Sequence, residues 1–235
     1  MDSQEFFDLF KGLERAYGRY DLSTDNSDGQ KQGGNARTVQ ETLTLHEWEL
    51  HLKGERGLGV IPIKDDNKVH WGAIDIDEYD IDLEVFSKKL GTSPIIPCRT
   101  KSGGIHLYVF FEQSMTAKSV VPKLREIATL LNHPTAEIFP KQIQIISERG
   151  DVGNWINMPY FGGKLSTRYA IYNGKVLNPE EFIKIAKSKK IKNVNDIKIP
   201  NLKSNDFELL PDGPPCLQYL LQVGFPEGTR NNALY

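Results

Sequence analysis

Seven residues constrain this chain more than any others: Trp71-Gly72-Ala73-Ile74-Asp75-Ile76-Asp77, in which isoleucine alternates with aspartate. On a strand, successive side chains take opposite faces, so Ile74 and Ile76 turn to a core while Asp75 and Asp77 leave together on the other side. Aspartate is a poor strand former, and two of them one pleat apart are costly unless their charge is used. Carboxylates at that spacing suit divalent cations, which take hard oxygen ligands. A solvated edge strand running into an acidic turn explains the same residues, since Glu78, Asp80 and Asp82 follow at once. On this stretch alone the two readings stand level.

The companions lie downstream. Arg99-Thr100-Lys101-Ser102-Gly103-Gly104-Ile105-His106 places a glycine turn before a strand with a histidine near its start. Glycines let main-chain N–H groups approach an anion, Arg99 and Lys101 flank them with positive charge, and His106 can donate to a phosphate oxygen. An ordinary glycine turn beside a surface histidine is the plain alternative. Glu137 ends a strand-like segment and offers a third carboxylate, although alone it reads better as a solvated loop acid. Asn154 and Asn157 bracket Trp155 near another strand end, where turn amides are the plain account.

A chain of 235 residues holds one large domain or two small ones. Hydrophobic content of 39% and charged content of 26% are those of a soluble globular protein. A net charge of -2 removes any global pull toward nucleic acid, so such a site must be a local groove. Cys98 and Cys216 match no zinc spacing and point to a reducing, cytoplasmic setting. No apolar run approaches the ~18 residues of a membrane span, and the acidic start is no signal peptide. The last residues, Asn232 to Tyr235, fall inside an expected helix and read as a fragment of a longer protein.

Periodicity and punctuation organise the rest. Phe6, Phe10, Leu13 and Tyr17 predict a helix over 3–17, and the Gly-, Asn- and Asp-rich stretch 18–38 a long loop. Thr44 and Glu47 read as a capping box for a helix that ends at Gly54. Residues 57–63 form a strand that Asp65-Asp66-Asn67 turns back into the acidic strand as a hairpin. A helix over Leu83–Leu90 closes at Gly91, strands follow at 95–99 and 105–111, and Thr116 opens another helix. Asn173-Gly174 marks a hairpin, and Asn178, Pro179 and Glu181 start a helix. The catalytic domain is expected over 1–186, a lysine-rich linker over 187–211, and the start of a helical unit over 212–235.

Taken together, Asp75-Ile76-Asp77, Ser102 with His106, and Glu137 resemble, in order, the three motifs of the archaeo-eukaryotic primase superfamily. The flanks Leu58–Ile63, Glu137–Gln142 and Gly153–Pro159 resemble its phage and mobile-element branch, and the likeness covers roughly 40 to 185. The resemblance implies an α+β catalytic fold whose RRM-like antiparallel sheet carries the acids on its open face. It implies a DNA primase or polymerase, a template-directed nucleotidyltransferase. Asp75, Asp77 and Glu137 would hold two Mg²⁺ or Mn²⁺ ions ~4 Å apart, as two-metal sites do. His106 and Ser102, with Arg99, Lys101 and Gly104, would bind the triphosphate of an NTP or dNTP. Asn154, Asn157 and Lys164 would contact nucleotide or single-stranded DNA template. A helicase domain or protein is a partner the resemblance allows, and the cytoplasm of a bacterium or phage-infected host the expected location. No zinc-binding Cys/His cluster of the kind many cellular primases carry is present in the sequence. A two-metal nuclease and a non-catalytic single-strand-binding module remain as alternatives. A rolling-circle relaxase is disfavoured, because His106 has no second histidine beside it.

Overall fold

The computed structural model describes residues 2–22 and 34–199. Helix α1 (Ser3–Leu9) starts at Asp2, whose carboxylate accepts from the Gln4 amide, and it buries Phe6 and Leu9. The helix expected over 3–17 ends early, because the Leu13 amide donates to the Ile61 carbonyl at 2.9 Å instead of to its own helix. Gly12 permits that crossing: a Cβ there would stand 2.1 Å from the Ile61 oxygen. The chain then enters β1 (Tyr17–Leu22), which pairs antiparallel with β2 (Gly34–Val39). The loop expected over 18–38 is thus strand on both sides of residues 23–33, which lie outside the described residues.

Helix α2 (Leu45–Lys53) follows Thr44 and ends at Gly54, whose φ of 81° suits glycine. The expected capping box does not form, since the Thr44 side chain makes no cap bond and Glu47 turns to Arg56 at 3.4 Å. Strand β3 (Gly57–Val60) precedes β4 (Lys68–Ile76). The turn between them closes, with the Lys64 amide donating to the Lys68 carbonyl at 3.0 Å, yet the expected hairpin is absent. The two strands belong to different sheets.

Next come α3 (Leu83–Leu90), β5 (Ile96–Arg99), β6 (Ile105–Thr116), α4 (Ala117–Leu130) and β7 (Glu137–Phe139). From β4 to β7 the order is βαββαβ, and the sheet β5-β6-β4-β7 is antiparallel throughout, so the RRM-like layout is as expected. After β8 (Ile156–Asn157), the hairpin β9 (Ile171–Tyr172) and β10 (Lys175–Val176) turns at Asn173-Gly174. Helix α5 (Pro179–Ser188) has the expected capping box between Asn178 and Glu181. The second sheet runs β2-β1-β3-β8.

Period-two alternation splits the core in two. Ile74, Ile76, Leu107 and Val109 turn to one cluster, completed by Val120, Leu124 and Ile127 of α4. Trp71, Ala73, Tyr108 and Phe110 turn to the other, where Phe10, Trp48 and Phe182 stack and edge against one another. The acid-bearing face is therefore open only at one end. At the other end α1, α2 and α5 cover it.

The linker expected from residue 187 does not begin there. Ile191 bridges to Phe111 in parallel, its amide donating to the Phe110 carbonyl at 3.1 Å, and Val194 and Ile197 are buried in the α4 cluster. The four apolar residues 191, 194, 197 and 199, spaced among lysines and asparagines, were enough to hold the segment down. Residues 200–211 and the expected helical unit 212–235 lie outside the described residues. None of the described helices is long and apolar enough to cross a membrane.

Candidate active site

The site is a row across one sheet. Asp75 on β4 stands opposite His106 on β6 and opposite Glu137 on β7, and His106 in turn stands opposite Cys98 on β5. Directly opposed residues share a face, so the sheet itself brings these side chains together. Asp77 follows one pleat later, just past the end of β4, and is exposed.

His106 is buried, held at one ring nitrogen and facing a carboxylate with the other. Nδ1 lies 3.0 Å from the Tyr108 hydroxyl, which donates to the Asn157 carbonyl at 3.2 Å. Nε2 lies 3.3 Å from Asp75 Oδ1. The contact is close but is not a made hydrogen bond: Asp75 Oδ1 is buried with no hydrogen-bond partner. Asp77 is held above the ordinary carboxylate range, first by the charge of Asp75, then by burial and by Glu137, with His106 pulling the other way. An orphaned carboxylate oxygen beside a second carboxylate under like-charge repulsion fits a divalent cation, which relieves both. Among the described residues, however, no group of three or more His, Cys, Asp or Glu is already gathered as a metal centre. Glu137 is engaged by Lys141 at 2.6 Å.

Two clefts meet at Asp75 and Asp77. One is basic, lined by Arg99, Lys101, Ser102, His106, Asn157 and Arg168. The other, lined by Glu78, Glu137, His133 and Thr135, is acidic, and there His133 Nδ1 pairs with Glu78 at 2.9 Å. Of the residues read from sequence, the basic cleft gathers Asp75, Asp77, Arg99, Lys101, Ser102, His106 and Asn157, while Glu137 faces the other cleft.

Three candidates sit elsewhere. Asn154 is engaged with Gln142, which takes both its side-chain oxygen and its amide. Lys164 pairs with Glu180 at 3.2 Å. Gly104 has a packing reason of its own: a Cβ would stand 2.5 Å from the Ile76 carbonyl, so glycine lets the turn close on the end of β4. The turn also uses its own amides, Thr100 donating to the Gly104 carbonyl and Gly103 to the Thr100 carbonyl. Anion binding there falls to side chains more than to a main-chain nest.

Sequence reasoning missed Arg168. It is 6% exposed, Nη1 is buried without a partner, and burial pulls its pKa down. The guanidinium rests 5.0 Å from the Phe161 ring. A buried guanidinium with an unsatisfied nitrogen is costly unless an anion completes it. Nothing in the sequence flags it, because Arg168 sits in a loop remote from every motif and reaches the cleft only through the fold.

The fold is thus an α+β domain with an RRM-like antiparallel sheet, whose strand β4 carries Asp75 and leads to Asp77 beside a cleft of cations. The family model "TOTE conflict system, Archaeo-Eukaryotic Primase domain" matches residues 19–201, and the chain belongs to that family. At the level of the superfamily this is a primase-polymerase type of nucleotidyltransferase domain. The AEP domain of the cyanophage S-2L primase-polymerase (PrimPol) is a structural neighbour, at TM-score 0.43 and 14% identity over 79% of this chain and 98% of that one. No curated protein matches.

Proposed function

We propose that the domain joins NTPs or dNTPs on a single-stranded DNA template, as a primase or polymerase. The observation that carries the reading is the row in which Asp75 stands between His106 and Glu137, with the cationic cleft on one side only. Asp75 and Asp77 would hold Mg²⁺ or Mn²⁺, joined by Glu137 once Lys141 swings aside. Ions bound there supply activation of a 3′-hydroxyl and neutralisation of charge on the leaving pyrophosphate. The chain's own part is positioning. Arg99, Lys101 and Arg168 receive the triphosphate, Ser102 adds a hydroxyl, and His106, braced by Tyr108, keeps its Nε2 edge between phosphate and Asp75. Arg168 gains the anion its burial calls for. The acidic cleft repels phosphate and leaves the nucleotide one way in, with its triphosphate on the basic side.

The test is extension of a primed single strand with Mn²⁺ or Mg²⁺ and labelled NTPs or dNTPs, with the unprimed strand run in parallel. Metal-dependent incorporation is expected. Metal-dependent cleavage of the strand without incorporation would make it a nuclease. Strand binding that persists in Asp75→Ala, with neither reaction, would make it a binding module.

A further inference from the structure

The sheet β2-β1-β3-β8 presents two unlike faces. On one, Tyr17, Leu58 and Val60 are buried or join the core. On the other, the register aligns Asn157, Gly59, Gly18 and Thr38 in one row, and Gly57, Tyr20 and Ala36 in the next. Trp155 lies across the first row. A Cβ at Gly18 or Gly59 would stand 2.1 or 2.3 Å from its indole, and its Nε1–H donates to Thr38 Oγ1 at 3.2 Å. Tyr20 stands in the second row with Lys101 Nζ 4.4 Å above its ring and 2.5 Å from its hydroxyl. Ala36 and Thr38 are exposed, while Trp155 and Tyr20 are partly so.

This face runs into the basic cleft, because Lys101 and Asn157 line both. It carries two aromatic rings on a floor of small residues, a lysine at its inner end, and no aliphatic side chain larger than Ala36 from these two rows. A protein helix would need aliphatic anchors. Bases need rings to stack on and a cation for the phosphates.

We infer that this sheet face is the track of the single strand, with Trp155 and Tyr20 as stacking platforms that lead it past Lys101 to the acids. The inference rests on the template-directed reading and adds where the strand lies. The indole, pinned by Thr38 and seated on glycine backbone, is set before a base arrives, so little ordering is needed on binding. Stacking on such platforms tolerates any base sequence.

Intrinsic fluorescence isolates the site. Trp48 and Trp71 are fully buried, which leaves Trp155 as the partly exposed one of the chain's three tryptophans. Titration with a thymidine oligonucleotide should quench that emission as the strand binds. Trp155→Ala and Tyr20→Ala should each weaken strand binding between about five- and a hundredfold, and Trp155→Phe should keep most of it. Ala36→Glu, at an exposed position beside Tyr20, should weaken it by charge repulsion even if the aromatic variants fold poorly. Strand affinity unchanged in Ala36→Glu and in a folded Trp155→Ala, or binding without quenching, overturns the inference. Metal-dependent nucleotide binding, measured without any strand, reports the cleft separately: if it persists while the track variants change nothing, the track alone has failed. If nucleotide and strand both fail to bind, the functional reading fails and this one with it.

Discussion

The two clefts either side of Asp75 and Asp77 share those acids and little else. The basic cleft is walled by elements distant in sequence, from the 99–106 turn, from 157–159 and from Arg168, whose Nη1 is buried without a hydrogen-bond partner. The acidic cleft is walled by 75–78 and 133–137, and its charges are largely matched inside the protein, His133 by Glu78 and Glu137 by Lys141. A buried guanidinium nitrogen left unsatisfied, across from charges that are matched, marks which side awaits a ligand. Removing charge should therefore cost activity on the basic side, at the shared acids and at Glu137, and little at Glu78, His133 or Lys141.

The sharpest break is at the shared ridge. Asp75→Asn or Asp77→Asn should lower incorporation by about a hundredfold or more while leaving the fold intact. The stability sign is opposite to that of a typical paired aspartate. Folded Asp77 keeps its proton to higher pH than unfolded Asp77, so its ionisation costs stability that is absent well below pH 3.8 and fully paid above the folded pKa. In denaturant melts without metal, Asp77→Asn should be as stable as the parent or more so at neutral pH. Near-parental synthesis by both variants would remove the acids from the mechanism.

On the basic side, Arg168→Met should raise the KM for nucleotide by about ten- to a hundredfold, the worth of a charge-assisted hydrogen bond or two. Deleting a buried cation whose Nη1 is unsatisfied, with methionine keeping the apolar contact on Phe161, should not lower thermal stability in the absence of nucleotide. A melting temperature that drops while the KM holds would make Arg168 a structural residue.

Acid should reach the basic wall by a different route. His51, fully buried, accepts from the Leu58 amide at Nδ1 and donates to the Pro159 carbonyl at Nε2, so it braces that wall in its neutral form. Burial, against the pull of the Pro159 bond, lowers its pKa from 6.5 to about 3. The unfolded chain takes up this proton below 6.5 and the folded chain does not until about 3. Its contribution is thus whole above pH 6.5 and falls by about 1.4 kcal/mol per pH unit through that window. Urea melts across pH 7 to 4 should show this slope, and His51→Gln should flatten it. An unchanged slope would assign the acid sensitivity to other groups.

The smallest effect belongs to the acidic side. Lys141 and Glu137 form a largely exposed pair, 35% and 54% accessible, worth about 0.2–1 kcal/mol. Lys141→Ala should tighten metal binding only a few-fold, measured by calorimetry with Mn²⁺. A large loss of metal affinity instead would mean that Lys141 supports Glu137 and does not compete for it.

What could be read from sequence follows one physical divide. Helices announced by a closing glycine or a capping box were legible, as at Leu83 to Gly91 and from Asn178 onward, because those signals are satisfied within a few residues. The hairpin turn at 65–67 was equally legible and misled, since a local turn says nothing about which sheet its strands enter. Strands β1 and β2 were hidden in glycine- and asparagine-rich sequence, and their pairing rests on β3 and on Trp155 laid over Gly18. Residues 191–199 read as linker because four apolar side chains weigh little in a lysine-rich window, although each finds a place on the core.

The candidate site divides in the same way. Alternation by itself determined that Asp75 and Asp77 leave one face of a strand and that His106 shares a face with Tyr108 and Phe110, because strand geometry is set by neighbouring residues alone. Only the tertiary structure decided that His106 and Glu137 stand on either side of Asp75, that Gly104 seals the turn against Ile76, and that Arg168 reaches the cleft from a loop without a motif. Register and burial depend on partners remote in the chain, and no local pattern carries that information.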